Sequence, residues 1–395
     1  MERMIVLGST GSIGSQALDV LARFPERFAV VGLAAGGRRL ETLAAQMRQF
    51  CPAQVAVPHA RDAEALARLT PDFRGQILSG DDALETMACW DGYDAALIGV
   101  VGMRGLAPTL AALQAGRKVL TANKETFVAG GHLVAPYLAA SPERLLPLDS
   151  EHSAIHQCLR GESRAEVDRL ILTASGGPFR DARPDDLSRV TLADALRHPN
   201  WSMGPKITVD SATMMNKGLE IIEAHWLFDA PYDIIDVVIH PQSVVHSAVR
   251  FVDGSTTAQL GPPDMRLPIL YALGYPQRLP NDFSPAPLDL ATLGALEFRA
   301  PDPRLFPCLP LARAAGEQGG GAPTVLNAAD EVAVELFLQE SIRFIDIPLL
   351  IERALTAYQD QDVCADPSLS DILALDAQTR RRVRAFASCE AAIAG

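Results

Sequence analysis

Met4-Ile5-Val6-Leu7-Gly8-Ser9-Thr10-Gly11-Ser12-Ile13-Gly14 is the stretch that decides how the rest of the chain is read. Four apolar residues make a short buried strand. Ile13, Ala17, Leu18 and Leu21 then recur at helical spacing within Ser12–Arg23. Between strand and helix stand Gly8, Gly11 and Gly14. Glycines in such a turn let the backbone approach a pyrophosphate at a helix N-terminus. The spacing is GxxGxxG rather than GxGxxG, and a turn of this kind can also serve only to pack a helix on a strand.

Outward from that turn, strands and helices alternate. The expected strands are Met4–Leu7, Ala29–Leu33, Val55–Val57, Ala95–Val101, Lys118–Thr121 and Arg144–Leu148. Strands alternating with amphipathic helices predict an α/β fold with an N-terminal doubly wound, Rossmann-like parallel sheet over residues 1–150. The pattern then changes to a central α+β domain, expected over 151–275. Its strands are Arg169–Thr173, Val237–Ile239, Val244–Val252 and Thr256–Leu260, with a helix over Thr213–Phe228 and a hairpin turn at Asp253-Gly254. The proline-rich residues 276–310 read as a linker. Residues 311–395 read as a C-terminal helical domain, with helices at Thr324–Gln339, Ile347–Ala357 and Asp376–Ile393.

The chain has 395 residues and a formal net charge of -13, which argues against general nucleic-acid or anionic-membrane binding. Its six cysteines are scattered without a CxxC pair and read as free thiols in a reducing compartment. No apolar run is long enough for a membrane span, and no signal-peptide pattern opens the chain, so a cytoplasmic location is expected.

Several residues carry candidate chemistry. After the second strand an acidic residue would favour NAD, but Gly36-Gly37-Arg38-Arg39 stands there, and arginine suits the 2′-phosphate of NADP. Asp149-Ser150-Glu151 follows an apolar strand, and in extended backbone positions two apart point the same way. Glu220 would share a helical face with Asn216 and Lys217. An all-oxygen set of this kind suits Mg²⁺ or Mn²⁺, although Asp-x-Glu at a strand end is commonly just a cap and a surface charge. Ser175-Gly176-Gly177 could form a backbone anion nest, Ser211 could cap a helix or bind an anion, and Lys217 would add a positive charge. Lys124 ends a strand of the first domain, where ligands gather in such sheets. His152 and His156, four apart, form a weaker metal candidate without a third ligand.

These segments together closely resemble the 1-deoxy-D-xylulose 5-phosphate reductoisomerase family. The matching stretches include GSTGSIG at 8–14, TANKE at 121–125, LDSEH at 148–152 and SGGPF at 175–179. RHPNWSMG at 197–204, VDSATMMNKGLE at 209–220, HPQSVVHS at 240–247, LGPPDMR at 260–266 and LNAADE at 326–331 continue the series in order. The resemblance implies an NADPH- and metal-dependent enzyme that rearranges and reduces a phosphorylated ketose, and a homodimer. It implies metal ligands Asp149, Glu151 and Glu220. It implies substrate contacts at Lys124, Ser150, Glu151, Ser175, His198, Ser211, Asn216, Lys217 and Glu220. Lys124, Asp149, Glu151, His198 and Glu220 would be the catalytic group. Cofactor contacts would be Thr10, Gly11, Ser12, Ile13, Gly36, Gly37, Arg38, Asn123, Glu125 and Gly204. Many members carry lysine or asparagine near Gly37 and Arg38, so 2′-phosphate binding here departs in detail.

The segment Arg197–Gly204 has no helical or strand period and breakers at both ends, so it is expected to be a loop. It carries two large apolar side chains, Trp201 and Met203, which either pack under the loop or form a flap over substrate. The rival readings are a homoserine-dehydrogenase-like oxidoreductase, which shares a glycine turn and a TANK-like lysine, and a non-catalytic NADP-binding regulator. Neither accounts for three candidate metal carboxylates and the long central motif.

Overall fold

The computed structural model describes residues 1–198, 203–282, 286–359 and 364–394. By internal contacts the chain divides into two compact units. The first comprises Met1–Thr126, Val134–Ser153 and Asp264–Pro285, and the second Phe127–Leu133, Ala154–Pro263 and Ala286–Gly395.

The first unit is built on seven parallel strands: β1 (Glu2–Leu7), β2 (Phe28–Ala34), β3 (Gln54–Val57), β4 (Gln76–Ser79), β5 (Ala95–Ile98), β6 (Lys118–Thr121) and β7 (Leu145–Pro147). Their order is β4-β3-β2-β1-β5-β6-β7. The winding therefore reverses between β1 and β5, the place where sheets of this type leave a crevice at the strands' carboxyl ends. Central strands are apolar throughout because both faces are covered: Met4 to Leu7 and Ala95 to Ile98 are fully buried. β4 was not expected. It is a four-residue edge strand, and its QILS sequence is only half-buried, so no apolar run announces it. The helix Arg266–Gly274 was also not expected, and it belongs here. Ile269, Leu270, Ala272 and Leu273 join the core of Leu18, Leu21, Leu120 and Leu146.

In the second unit, β8 (Val167–Ala174), β9 (Ile235–Ile239), β10 (Val245–Phe251) and β11 (Thr256–Leu260) form a four-stranded sheet of order β11-β10-β8-β9. β10 runs antiparallel to both β8 and β11, while β8 and β9 are parallel. The β10–β11 hairpin turns where Asp253-Gly254 predicts it, with Gly254 at φ 86°. The parallel β8–β9 crossover includes the short helix Leu192–Ala195 and then the helices Pro205–Thr213 and Met215–Phe228, the latter two separated by Met214 at φ 58°. Sequence reading finds only the second. The first starts on Pro205, which fits the opening turn of a helix, and stops at the left-handed Met214.

The C-terminal helices Cys308–Gln318, Ala322–Leu338, Asp346–Gln359 and Leu369–Ala394 do not build a separate core. Val325, Leu326, Val332 and Ile351 pack in one apolar cluster with Val209, Leu219 and Ile222 of the crossover helices. Contacts thus give two units where the sequence suggests three domains and a linker. Among the described residues no helix is long and apolar enough to cross a membrane.

Candidate active site

The glycine turn after β1 is held by close backbone approach. Gly8 sits at φ +92°, and a Cβ there would lie 2.6 Å from the carbonyl oxygen of Gly99. A Cβ on Gly14 would lie 2.2 Å from the Gly8 carbonyl oxygen, so the helix can seat itself only with glycine there. Gly11 precedes the helix Ser12–Leu21, and no side chain caps that helix. Its first amides therefore face outward beside the exposed Gly11 and Ser12, as an anion site requires. Ser9 and Gln46 brace the turn from below through a reciprocal pair, Ser9 Oγ donating to Gln46 Oε1 (2.8 Å) and Gln46 Nε2 donating to Ser9 O (2.9 Å). Gln46 is a residue sequence reading missed; a glutamine flanked by the buried Leu43, Ala44 and Met47 was its only signal.

The two arginines after β2 part company. Both are exposed, but Arg39 donates to the Thr10 carbonyl (3.1 Å) and ties its loop to the glycine turn. Gly37 has φ +79°, and a Cβ there would lie 2.4 Å from an Asp62 carboxylate oxygen. Its left-handed φ favours glycine there, and a Cβ would have to displace the Asp62 carboxylate.

Asn123 and Glu125 are buried at the carboxyl end of β6. The Asn123 amide donates to Val100 O (3.1 Å), Gly102 O (2.9 Å) and Glu125 Oε2 (2.8 Å), and Glu125 Oε1 accepts from the Gly102 amide (3.1 Å). The pair thus shapes the loop after β5, next to the point where the winding reverses. Asn123 also caps the helix beginning at Lys124.

Lys124 Nζ lies 2.9 Å from Asp149 Oδ2. His152 Nδ1 stands 3.7 Å from the same oxygen. Burial works against the charged Asp149 carboxylate, but Lys124 and His152 outweigh it and hold it well below the usual carboxylate range. The extended geometry expected for Asp149-Ser150-Glu151 is corrected. A helix, Ser150–Cys158, begins at once, and the Ser153 amide donates to the Asp149 carbonyl (2.8 Å). Asp149 is thus the residue before the first turn and Glu151 lies inside it, with Ser150 Oγ donating to Glu151 Oε2 (2.6 Å). Both carboxylates gain from the helix dipole there. The weaker pair, His152 and His156, shares this helix; burial pushes the His156 imidazole down to about 4.

The second unit gathers the remaining site residues. His198 Nε2 is 3.0 Å from Ser175 Oγ and 3.1 Å from Ser211 Oγ. Burial, with the Arg180 guanidinium nearby, lowers the His198 imidazole to about 4, so it is neutral at neutral pH. Gly176 (φ +76°) and Gly177 (φ +61°) follow Ser175 in the left-handed region, and a Cβ on Gly177 would lie 2.6 Å from Ser211 O. Ser211 is inside the helix Pro205–Thr213 rather than a cap. Arg180, missed in the sequence, donates to Ser175 O (3.1 Å) and adds a cation to this loop. In the next helix Asn216 and Lys217 both donate to the Glu220 carboxylate, as their spacing predicts. Gly204 is exposed at the start of Pro205–Thr213, and Met203 is half-buried. Trp201 lies outside the described residues.

In each unit the carboxylate oxygens are the kind of donor a hard divalent cation takes. Asp149 and Glu220 each have a lysine at their oxygens, which favours the ionised, ligating form.

Three sequence models of one family match the chain in order. That of 1-deoxy-D-xylulose 5-phosphate reductoisomerase covers residues 4–131, and two for its C-terminal domains cover residues 145–228 and 260–382. The chain belongs to the 1-deoxy-D-xylulose 5-phosphate reductoisomerase family. A reductoisomerase of Thermosynechococcus vestitus is 52% identical over 384 residues, covering 97% of this chain and 92% of the relative. Another, from Synechococcus, is 52% identical over 389 residues and covers 98% of both. Among solved structures, the Zymomonas mobilis reductoisomerase in complex with NADPH superposes with a TM-score of 0.89 at 39% identity, covering 98% of this chain and 99% of that one. A reductoisomerase in complex with NADPH, fosmidomycin and magnesium gives 0.90 at 40% identity, with 98% of both chains covered.

Proposed function

We propose that this reductoisomerase converts 1-deoxy-D-xylulose 5-phosphate into 2-C-methyl-D-erythritol 4-phosphate, an early step towards isoprenoid precursors, with NADPH and Mg²⁺ or Mn²⁺. The family match along residues 4–382, with the quoted motifs in order, is the observation that carries this reading. The homoserine-dehydrogenase-like and regulator readings lose their support on the same ground.

Asp149, Glu151 and Glu220 would hold the metal, and the glycine turn with Thr10, Gly11, Ser12 and Ile13 would hold the NADPH pyrophosphate. When bound, the ion supplies Lewis acidity at neighbouring substrate oxygens and NADPH supplies the reducing hydride. The chain's own residues bind and orient. Ser175, Ser211, Asn216 and Lys217 would take the substrate phosphate, assisted by the Gly176-Gly177 backbone. A neutral His198 adds no charge of its own, but its ring nitrogen orients the Ser175 and Ser211 hydroxyls. Holding a non-reacting phosphate fixes the carbons that do react. Lys124, beside Asp149, would contact the substrate's hydroxyl end. Carbon–carbon cleavage and rejoining yields a branched aldehyde, and reduction with uptake of one proton completes the product. A homodimer and a cytoplasmic location belong to the same reading.

The test is NADPH oxidation with 1-deoxy-D-xylulose 5-phosphate. Turnover should require both the divalent ion and the substrate's phosphate. Metal-independent turnover, or none with this ketose, would overturn the reading.

A further inference from the structure

The loops that follow β2 and β3 leave the sheet of the first unit side by side. Ala34 pairs with Ala56, and the Ala35 amide donates to the Ala56 carbonyl (3.0 Å). The Gly36-Gly37-Arg38 turn therefore stands against the start of the helix Ala60–Leu69, which follows β3. Asp62 lies in the first turn of that helix. An acid there ordinarily complements the helix dipole or reaches back to the amide of its own N-cap residue. Asp62 makes no such cap. Among the described residues the only partner of its carboxylate is the exposed Arg61, with Nε 3.9 Å from Oδ1. The side chain is nevertheless only 16% exposed. It turns towards Gly37, where Oδ2, Cγ and Oδ1 lie 2.4, 2.9 and 3.5 Å from the place a Cβ would take.

In doubly wound dinucleotide sites, the acid that takes the ribose 2′-hydroxyl of NAD follows the second strand. This chain has Gly36-Gly37-Arg38 there and no acid. Asp62 brings one to the same turn from the neighbouring strand's helix. We propose, on the reading that the turn after β2 receives the adenosine ribose, that Asp62 is a specificity-determining residue. Its carboxylate accepts a hydrogen bond from the 2′-hydroxyl of NADH and opposes the 2′-phosphate of NADPH. A hydroxyl can donate to a carboxylate, whereas a phosphate brings only acceptors and like charge. Gly37 makes the approach possible, because any side chain at that position would displace the Asp62 carboxylate. Arg38 acts in the opposite sense. It is exposed and, among the described residues, has no ion-pair partner, so it remains available to a phosphate. The preference for NADPH is thus narrower than Arg38 alone would set.

Titration with NADPH and NADH, followed by nicotinamide fluorescence, tests this without turnover. Asp62→Ser removes both acceptor and charge; it should weaken NADH about tenfold and tighten NADPH several-fold, the scale of a charge-assisted hydrogen bond. Asp62→Asn keeps an acceptor oxygen, so NADPH should gain similarly while NADH loses less. Arg38→Ser should move the ratio of the two dissociation constants the other way. Competition by 5′-AMP and by adenosine 2′,5′-bisphosphate should repeat these shifts and so locate them at the adenosine ribose. Should Asp62→Ser fail to fold in a thermal melt, the Asn variant decides. A ratio that neither Asp62 variant moves, or equal weakening of both dinucleotides, would make Asp62 a helix-dipole acid and overturn the proposal. A natural protein that binds neither dinucleotide would instead remove the cofactor reading, and the proposal with it.

Discussion

Asp149 and Glu220 show how charge is set by single neighbours. Glu220 is buried and Asp149 half-buried, each has a lysine at its oxygens, and each would lose its charge as an amide. Asp149→Asn or Glu220→Gln should lower turnover by about a hundredfold or more. NADPH affinity, measured by fluorescence titration, should hold. Lys217→Ala should raise KM for the phosphorylated ketose far more than KM for NADPH, whereas equal rises would mean general damage. His198 supplies the pH prediction. Its imidazole is lowered to about 4 in the folded chain, against about 6.5 unfolded. Between those values the unfolded state binds more protons, so stability falls on acidification from 6.5 towards 4. His198→Gln should lessen that acid-side slope, to which the similarly lowered His156 also contributes, and leave a melting-temperature profile above pH 7 unaltered.

At the scale of elements, the glycine turn is the most demanding piece of backbone. Gly14→Ala must push a methyl into the Gly8 carbonyl and should abolish tight NADPH binding. Arg38→Ser should narrow the preference for NADPH over NADH; Arg39→Ser, which frees the Thr10 carbonyl, should weaken both dinucleotides alike. Initial rates with each cofactor separate the two. Elements were legible where burial leaves a clean pattern. β6 and β11 fall on their expected residues, and β1 differs by two. The helix Pro205–Thr213 was hidden because its polar residues, Lys206, Asp210 and Ser211, face partners rather than solvent and so break the amphipathic period. Asp149 was read as extended because a strand and a helix meet there within three residues, and local spacing cannot say which continues.

For the molecule as a whole, the proposed site residues stand in recognisable motifs, and their supports do not. Gln46, Asp62, Arg180 and the ion-paired Lys206, Asp210 and Asp330 carry no motif of ligand-binding type. They became visible only through partners distant in sequence. The first unit's makeup has a further consequence, for biosynthesis. Its core includes Ile269, Leu270 and Leu273 from a helix that lies more than a hundred residues beyond β7. On a ribosome adding roughly 5–20 residues per second, the completed nucleotide-binding sheet would wait on the order of ten seconds for that helix. An N-terminal fragment ending at Ser150 should therefore expose apolar surface and aggregate. Adding the separate peptide 264–285 in trans should restore its solubility, which light scattering would detect.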